Sequence, residues 1–193
     1  MTWRDEARVR EAVMAGLEMA KNMTDRVGLV GYGAVVLSRR GRAIDIEPFA
    51  NQITTWGDQY YATRGAAGIG TPNISQPSLL DGMKLGTGVT AASKSGAGAA
   101  LGTYISGSNQ VFDTTHPALT DLTGDTGFDL TYKCTWAAGD VTNSAITEAV
   151  LVDDADTDAT SAAGATVARV TFTAKNKTVD DALAITWAHT FNG

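Results

Sequence analysis

The stretch FDLTYKCTW (128–136) alternates without a break. Phe128, Leu130, Tyr132, Cys134 and Trp136 fall on one side of an extended chain, and Asp129, Thr131, Lys133 and Thr135 on the other. Successive side chains of a strand point to opposite faces, so an extended segment gathers all five apolar residues together. DALAITWAHTF (181–191) repeats the pattern with Leu183, Ile185, Trp187 and Phe191. AITEAVLV (145–152) and ATVARVTFTA (165–174) supply two more β-rich runs. Polar, turn-like gaps separate the four: AAGDVTN, DDADTDATSAAG and KNKTVD. Short strands at this spacing predict a mainly β chain built as an antiparallel β-sandwich. The alternation leaves each sheet a wet or partner-facing side.

Upstream the pattern changes twice. VGLVGYGAVVL (27–37) and RAIDIEPF (42–49) read as a β-hairpin, with Gly41 in the SRRG turn. Before it, residues 3–24 read as an amphipathic helix. Val9, Val13, Leu17 and Ala20 recur at helical spacing and, with Trp3, form a narrow apolar stripe. That stripe suits either the chain's own sheet or an assembly interface. Residues 50–82 lose periodicity; Trp56, Tyr60 and Tyr61 suit a short helix covering a core, and 65–77 read as a long loop, a kind of segment that usually contacts something. The expected division is a docking region (1–64) of helix and hairpin, a loop (65–82) and the sandwich (83–193).

Bulk properties exclude several classes. The 193 residues suit one domain, or one domain plus a small appendage, and 44% apolar content is enough for a core. A net charge of −6 argues against nucleic acid as a partner. The basic run SRRGR (38–42) is a charged hairpin turn. No apolar run approaches the roughly 20 residues that cross a bilayer, so no membrane insertion is expected. The charged opening MTWRDEARVR reads as no secretory leader, and one cysteine permits no internal disulfide. Synthesis in a reducing cytoplasm is expected. Charged residues make up only 19%, and Gly, Ala and Thr are abundant, a composition suited to contact with neighbouring copies.

Each chemical motif fails on spacing. In KSGAGAALG (94–102) the lysine precedes the glycines, whereas a phosphate-binding P-loop needs it after them. Gly96, Gly98 and Gly102 give GxGxxxG, one residue too long for a dinucleotide turn. What remains is a close-packing or surface loop. Cys134 sits on the apolar parity of a strand, where a free cysteine is a small core residue. His189 shares the Trp187/Phe191 parity, His116 precedes a proline, and two histidines with one cysteine make no zinc set. DDADTDAT (153–160) imitates half a calcium loop, but Ala159 replaces the turn glycine and no closing glutamate follows. It reads as a solvated hairpin tip. Glu148 stands inside an apolar run, so its carboxylate must be paired, hydrogen-bonded or at a bulge, and turn amides are the preferred partners. No catalytic residue, cofactor or metal is expected. Trp56, Tyr60, Tyr61 and Tyr104 are candidate ligand-stacking residues outside the sandwich core.

Three segments together resemble a family of small virion structural proteins of tailed bacteriophages. They are FANQITTWGDQYYATR (49–64), MKLGTGVTAASKSGAGAALGTYISGS (83–108) and a terminal trio. The trio comprises YKCTWAAGDVTNSAITEAVLVDD (132–154), ARVTFTAKNKT (168–178) and DALAITWAHTF (181–191). The resemblance covers most of residues 45–193 and is weakest over the N-terminal helix. It implies a non-enzymatic virion component: a tail, baseplate or fibre-type accessory, or alternatively a capsid decoration protein. Other virion proteins and copies of itself, as a trimer, are the implied partners. A host-glycan or receptor-binding module is the further alternative.

Overall fold

The computed structural model describes residues 3–21, 29–66, 76–122 and 127–192. Helix α1 (Trp3–Lys21) leads into β1 (Leu29–Arg39) and β2 (Arg42–Ala50). Next come β3 (Gln52–Ile53), helix α2 (Thr55–Gly65) and β4 (Gly82–Gly86). A 3-10 turn at Gly96–Ala99 precedes β5 (Gln110–Val111) and β6 (Ala118–Leu122). The long strands β7 (Gly127–Trp136), β8 (Asn143–Val152), β9 (Thr166–Lys177) and β10 (Asp181–Asn192) complete the chain. They form two five-stranded antiparallel sheets, ordered β2-β1-β10-β7-β6 and β3-β9-β8-β4-β5. The fold is the antiparallel sandwich that the alternating strands predict, with an N-terminal helix and hairpin.

The apolar parities meet between the sheets. Tyr132, Cys134 and Trp136 of β7 and Leu183, Ile185 and Trp187 of β10 are buried against Met83, Leu85, Ala149, Leu151 and Val170 of the other sheet. Phe49 closes on Trp187 edge-to-face, with ring centroids 5.2 Å apart, a geometry aromatic pairs favour. Burial weakens toward the start of β7, where Phe128 is 47% exposed.

The hairpin is built into the sandwich. β1 pairs with β10 along its whole length, from Leu29↔Phe191 to Arg39↔Asp181, as well as with β2. It is therefore an internal strand, and the expected boundary between a docking region and the sandwich does not follow the sheet. Its turn places Arg40 and Gly41 at φ 50° and 76°, the two positive values that a tight type I′ hairpin demands.

Helix α1 lies on the outer face of the first sheet. Val13 packs with Tyr32, Ala50 and Ala188. Gly16 permits the approach, because a Cβ there would stand 2.7 Å from both the Gly33 and Phe49 carbonyl oxygens. Val9 is half-buried. The apolar stripe thus meets the chain's own sheet at Val13. The side chains of Trp3, Leu17 and Ala20 lie outside the described residues. Helix α2 is capped by Thr54, whose hydroxyl accepts from the Gly57 amide at 2.9 Å and donates to the Thr166 carbonyl at 2.6 Å. A helix start is thereby tied to β9. On the opposite side of the molecule, the β4–β5 connection (87–109) covers the outer face of the second sheet, where Leu101 packs on Val150, Val152 and Ala155.

Candidate functional site

The β4–β5 connection is held by one carboxylate. Glu148 on β8 is fully buried, and so is Arg169 on β9. Glu148 Oε1 accepts from the Gly88 amide at 2.7 Å and the Thr103 amide at 2.9 Å. Its Oε2 accepts from the Gly102 amide at 3.0 Å, and from Arg169 Nε and Nη2 at 3.0 and 2.8 Å. Arg169 Nη1 reaches onward to the Gly98 carbonyl at 3.2 Å. Both ends of the connection, at residue 88 and residues 102–103, thus converge on one side chain. Thr147 adds a bond to the Gly88 carbonyl at 2.9 Å.

This geometry explains the glycines. A Cβ at Gly86 or Gly88 would fall 2.4 Å from Glu148 Oε1, so the LGTG run leaves room for the carboxylate. A Cβ at Gly98 would meet Ser93 Oγ at 2.2 Å and the Ala91 carbonyl at 2.6 Å. KSGAGAALG is therefore a packed loop that hands one carbonyl to Arg169. Lys94 points elsewhere, to Asp58 at 2.6 Å, with both side chains about half exposed. The turn-amide expectation for Glu148 holds, and the strand bulges there as well, since the β8–β9 register shifts between Ile146 and Glu148. A desolvated ion pair persists only where its remaining lone pairs and protons are satisfied, and these are. The carboxylate has no free lone pair aimed at solvent with which to do proton chemistry.

A second polar cluster lies beyond it on the same face. Lys84 of β4 is buried, yet its ammonium donates to the Ala159 carbonyl and contacts Asp154 Oδ1, both at 3.0 Å. It stands 5.9 Å from the Tyr104 ring centroid. The Tyr104 hydroxyl donates to Asp158 at 2.7 Å, and Asp158 also accepts from the Gly107 amide at 2.8 Å. Those two bonds hold the Asp158 carboxyl below its usual range. Asp154 is engaged by Ser161 at 2.6 Å and Asp156 by Thr157 at 3.1 Å. Asp154, Asp156 and Asp158 of DDADTDAT thus serve separate partners, and no metal-holding group of three or more side chains occurs among the described residues.

The third cluster is aromatic. Tyr61 of α2 shares a hydrogen bond with His189 Nδ1 and another, 3.0 Å long, with the Tyr132 hydroxyl. His189 is wholly buried, and burial pushes its pKa down to about 3. Burial likewise raises the Tyr61 and Tyr132 hydroxyls. His189 Nε2 meets no hydrogen-bond partner. A neutral imidazole that accepts no proton near pH 7 is a core group.

The stacking candidates separate. Tyr60 belongs to the core, and Trp56 and Tyr61 pack against it. The helix turns these rings inward because α2 must cover the end of the sandwich. Tyr104 stands on the other face, half-buried in the Lys84–Asp158 cluster. The four do not form one surface. Cys134 is buried, its thiol 3.3 Å from the Gln110 carbonyl, and burial, with the Asp113 charge, raises its pKa. Cys134 and His189 are both core groups of the first sheet.

One open groove of about 370 Å³ lies where the edges of the two sheets meet. Glu47, Val89, Thr147, Thr171, Phe172 and Thr173 line it. Sequence reasoning missed this groove, because β2 and β9 come together only through the fold. It also missed Arg169 and Lys84 as organising residues. The available signal was the one that exposed Glu148: a charge inside an apolar run. No protein-family model matches the chain, and no curated protein or solved structure matches it either.

Proposed function

We propose that the chain is a non-enzymatic bacteriophage virion structural protein, a tail, baseplate or fibre-type accessory that works among symmetric copies of itself and other virion proteins. One observation carries the reading. The segments on which the resemblance rests are the ones that fasten the molecule together. LGTG leaves space for Glu148. ITEA supplies that glutamate, and ARVTF supplies Arg169. NQITT ties α2 to β9 through Thr54. Residues spent in this way build a rigid module whose long loops are pinned flat, as a particle component requires. Glu148, His189 and Cys134 are engaged inside it.

Mass spectrometry of purified particles, followed by gold-labelled antibody on intact ones, tests the reading. Label at the tail is expected. Label over the head would make the chain a capsid decoration protein, and absence from particles would overturn the virion reading altogether.

A second reading, a host-glycan-binding module, is favoured by the groove. Three threonine hydroxyls and the Glu47 carboxylate surround apolar Phe172 and Val89, and its volume falls within the range of small-ligand sites. Glycan-array binding that is lost on Thr171→Val would support it. Silence across the array would remove it.

A further inference from the structure

Among the described residues the sandwich has four strand edges, and three are closed. β2 carries Arg42, Asp45, Glu47 and Pro48. Lys175 of the opposite sheet reaches across to Asp45 at 2.7 Å and Glu47 at 2.6 Å. β3 and β5 have two residues each. Next to β3, the free side of β9 is blocked where Glu47 accepts from the Thr173 amide at 2.9 Å. These are the devices by which proteins prevent stray strand pairing: charge, proline, brevity and cover.

β6 has neither proline nor, among the described residues, cover along its length. Its five residues, ALTDL, hold one charge, Asp121. They pair with β7 from Ala118↔Thr131 to Leu122↔Gly127, and make no other hydrogen bond among the described residues. Leu119 is 68% exposed, and it shares a face with Phe128, also an exposed apolar residue. Among the described residues nothing pairs with the outer edge, which runs beside the exposed Leu119 and Phe128.

We propose that β6 pairs with β6 of a second copy, antiparallel about a two-fold axis at Thr120. This register puts Leu119 opposite Asp121 of the other copy and Ala118 opposite Leu122. The single charge never faces its like, whereas a parallel in-register pairing would set Asp121 beside itself, a destabilising arrangement. A chain of net charge −6 joins itself best where it is least charged. Such a contact uses the same patch twice and closes at two copies, in place of the trimer that the sequence suggests. It merges the first sheets of two molecules into one, and it is independent of where the protein resides.

Sedimentation velocity over a range of concentrations, with amide hydrogen exchange, tests the contact. A monomer–dimer equilibrium is expected, with exchange at residues 118–122 slowed in the concentrated sample. Leu119→Lys is expected to leave the circular dichroism spectrum unchanged and shift the population to monomer. A monomer at every concentration overturns the proposal, as does a trimer, or an oligomer whose β6 amides exchange no more slowly than in dilute protein. The exchange comparison uses the unsubstituted chain, so it decides the matter even if the variant misfolds.

Discussion

Glu148 and Arg169 stand on neighbouring strands with both side chains fully buried, Arg169 Nη2 2.8 Å from Glu148 Oε2. The pair lies on the outer face of its sheet, and what buries it is the loop it binds. Loop and ion pair therefore depend on each other. Without the loop amides the carboxylate loses three of its five donors, and without the carboxylate the amides of Gly88, Gly102 and Thr103 lose their acceptor.

The first prediction concerns this dependence. Glu148→Ala leaves the Arg169 charge and three amides unpaired, and is expected to cost about 3–5 kcal/mol. Replacing both residues, Glu148→Leu with Arg169→Met, is expected to cost less than the sum of the single changes, since no charge is stranded. Urea unfolding measures both. Hydrogen exchange at Gly88, Gly102 and Thr103 should accelerate in every variant. Strict additivity of the two losses would show that the pair is not coupled.

How far the sequence foretells this centre depends on locality. Glu148 was legible because an acid in AITEAVLV has no polar face to occupy. Arg169 in ATVARVTFTA has the same signature, but nothing local says which acid it meets, since β8 and β9 find their register through packing. The alternation of β7 and β10 was legible because a strand's period is set within a few residues. The neighbour of β10 was not: β1 lies about 150 residues away in the chain, and only burial of both faces brings it there. For a similar reason the sequence leaves Trp56, Tyr60 and Tyr61 open between covering a core from a short helix, which is what they do, and offering stacking faces outside it. TWGDQYYATR has little periodicity, so the sequence does not say which side of the helix the sheets will cover.

The second prediction is a pH dependence. His189 is held neutral, with its pKa down at about 3 because of burial, while in the unfolded chain it titrates near 6.5. Between those values the unfolded state binds a proton that the folded state refuses, so stability falls as pH drops through this window. The full effect is bounded by roughly 5 kcal/mol. His189→Gln removes the titration. Comparing urea midpoints of the two proteins at pH 7 and pH 5 stays above most carboxylate titrations. The unsubstituted protein should lose more stability than the variant over that interval, and equal losses would contradict the assignment.

A third prediction follows from Cys134. Its thiol is buried between Tyr132 and Trp136 on β7 and points to the Gln110 carbonyl. Burial raises its pKa, so thiolate is scarce at neutral pH as well as inaccessible. Ellman's reagent should label the folded protein only as fast as it unfolds, and labelling should track the urea transition. Rapid labelling of folded protein would mean that the strand opens, or that the thiol faces a pocket.

The last prediction separates two roles for α1. If the helix is part of the sandwich, its removal must damage the face it covers. Val13 fills a site made by Tyr32, Ala50 and Ala188, and Gly16 sits where a Cβ would press on two backbone carbonyls. Backbone carbonyls cannot swing aside as a flexible side chain would, so Gly16→Val must push the helix outward. Val13→Asp acts differently, placing a charge on an apolar seat, at a cost of about 2–4 kcal/mol for lost burial and desolvation. Both variants are expected to expose α1 to limited proteolysis while β7 and β10 keep their slow amide exchange, because the core between the sheets is not touched. If α1 instead serves only as a docking element, as the proposed virion role allows, both variants should retain full stability and fail to incorporate into particles. Protease resistance of the free protein together with failed incorporation would therefore move the helix from the fold to the assembly.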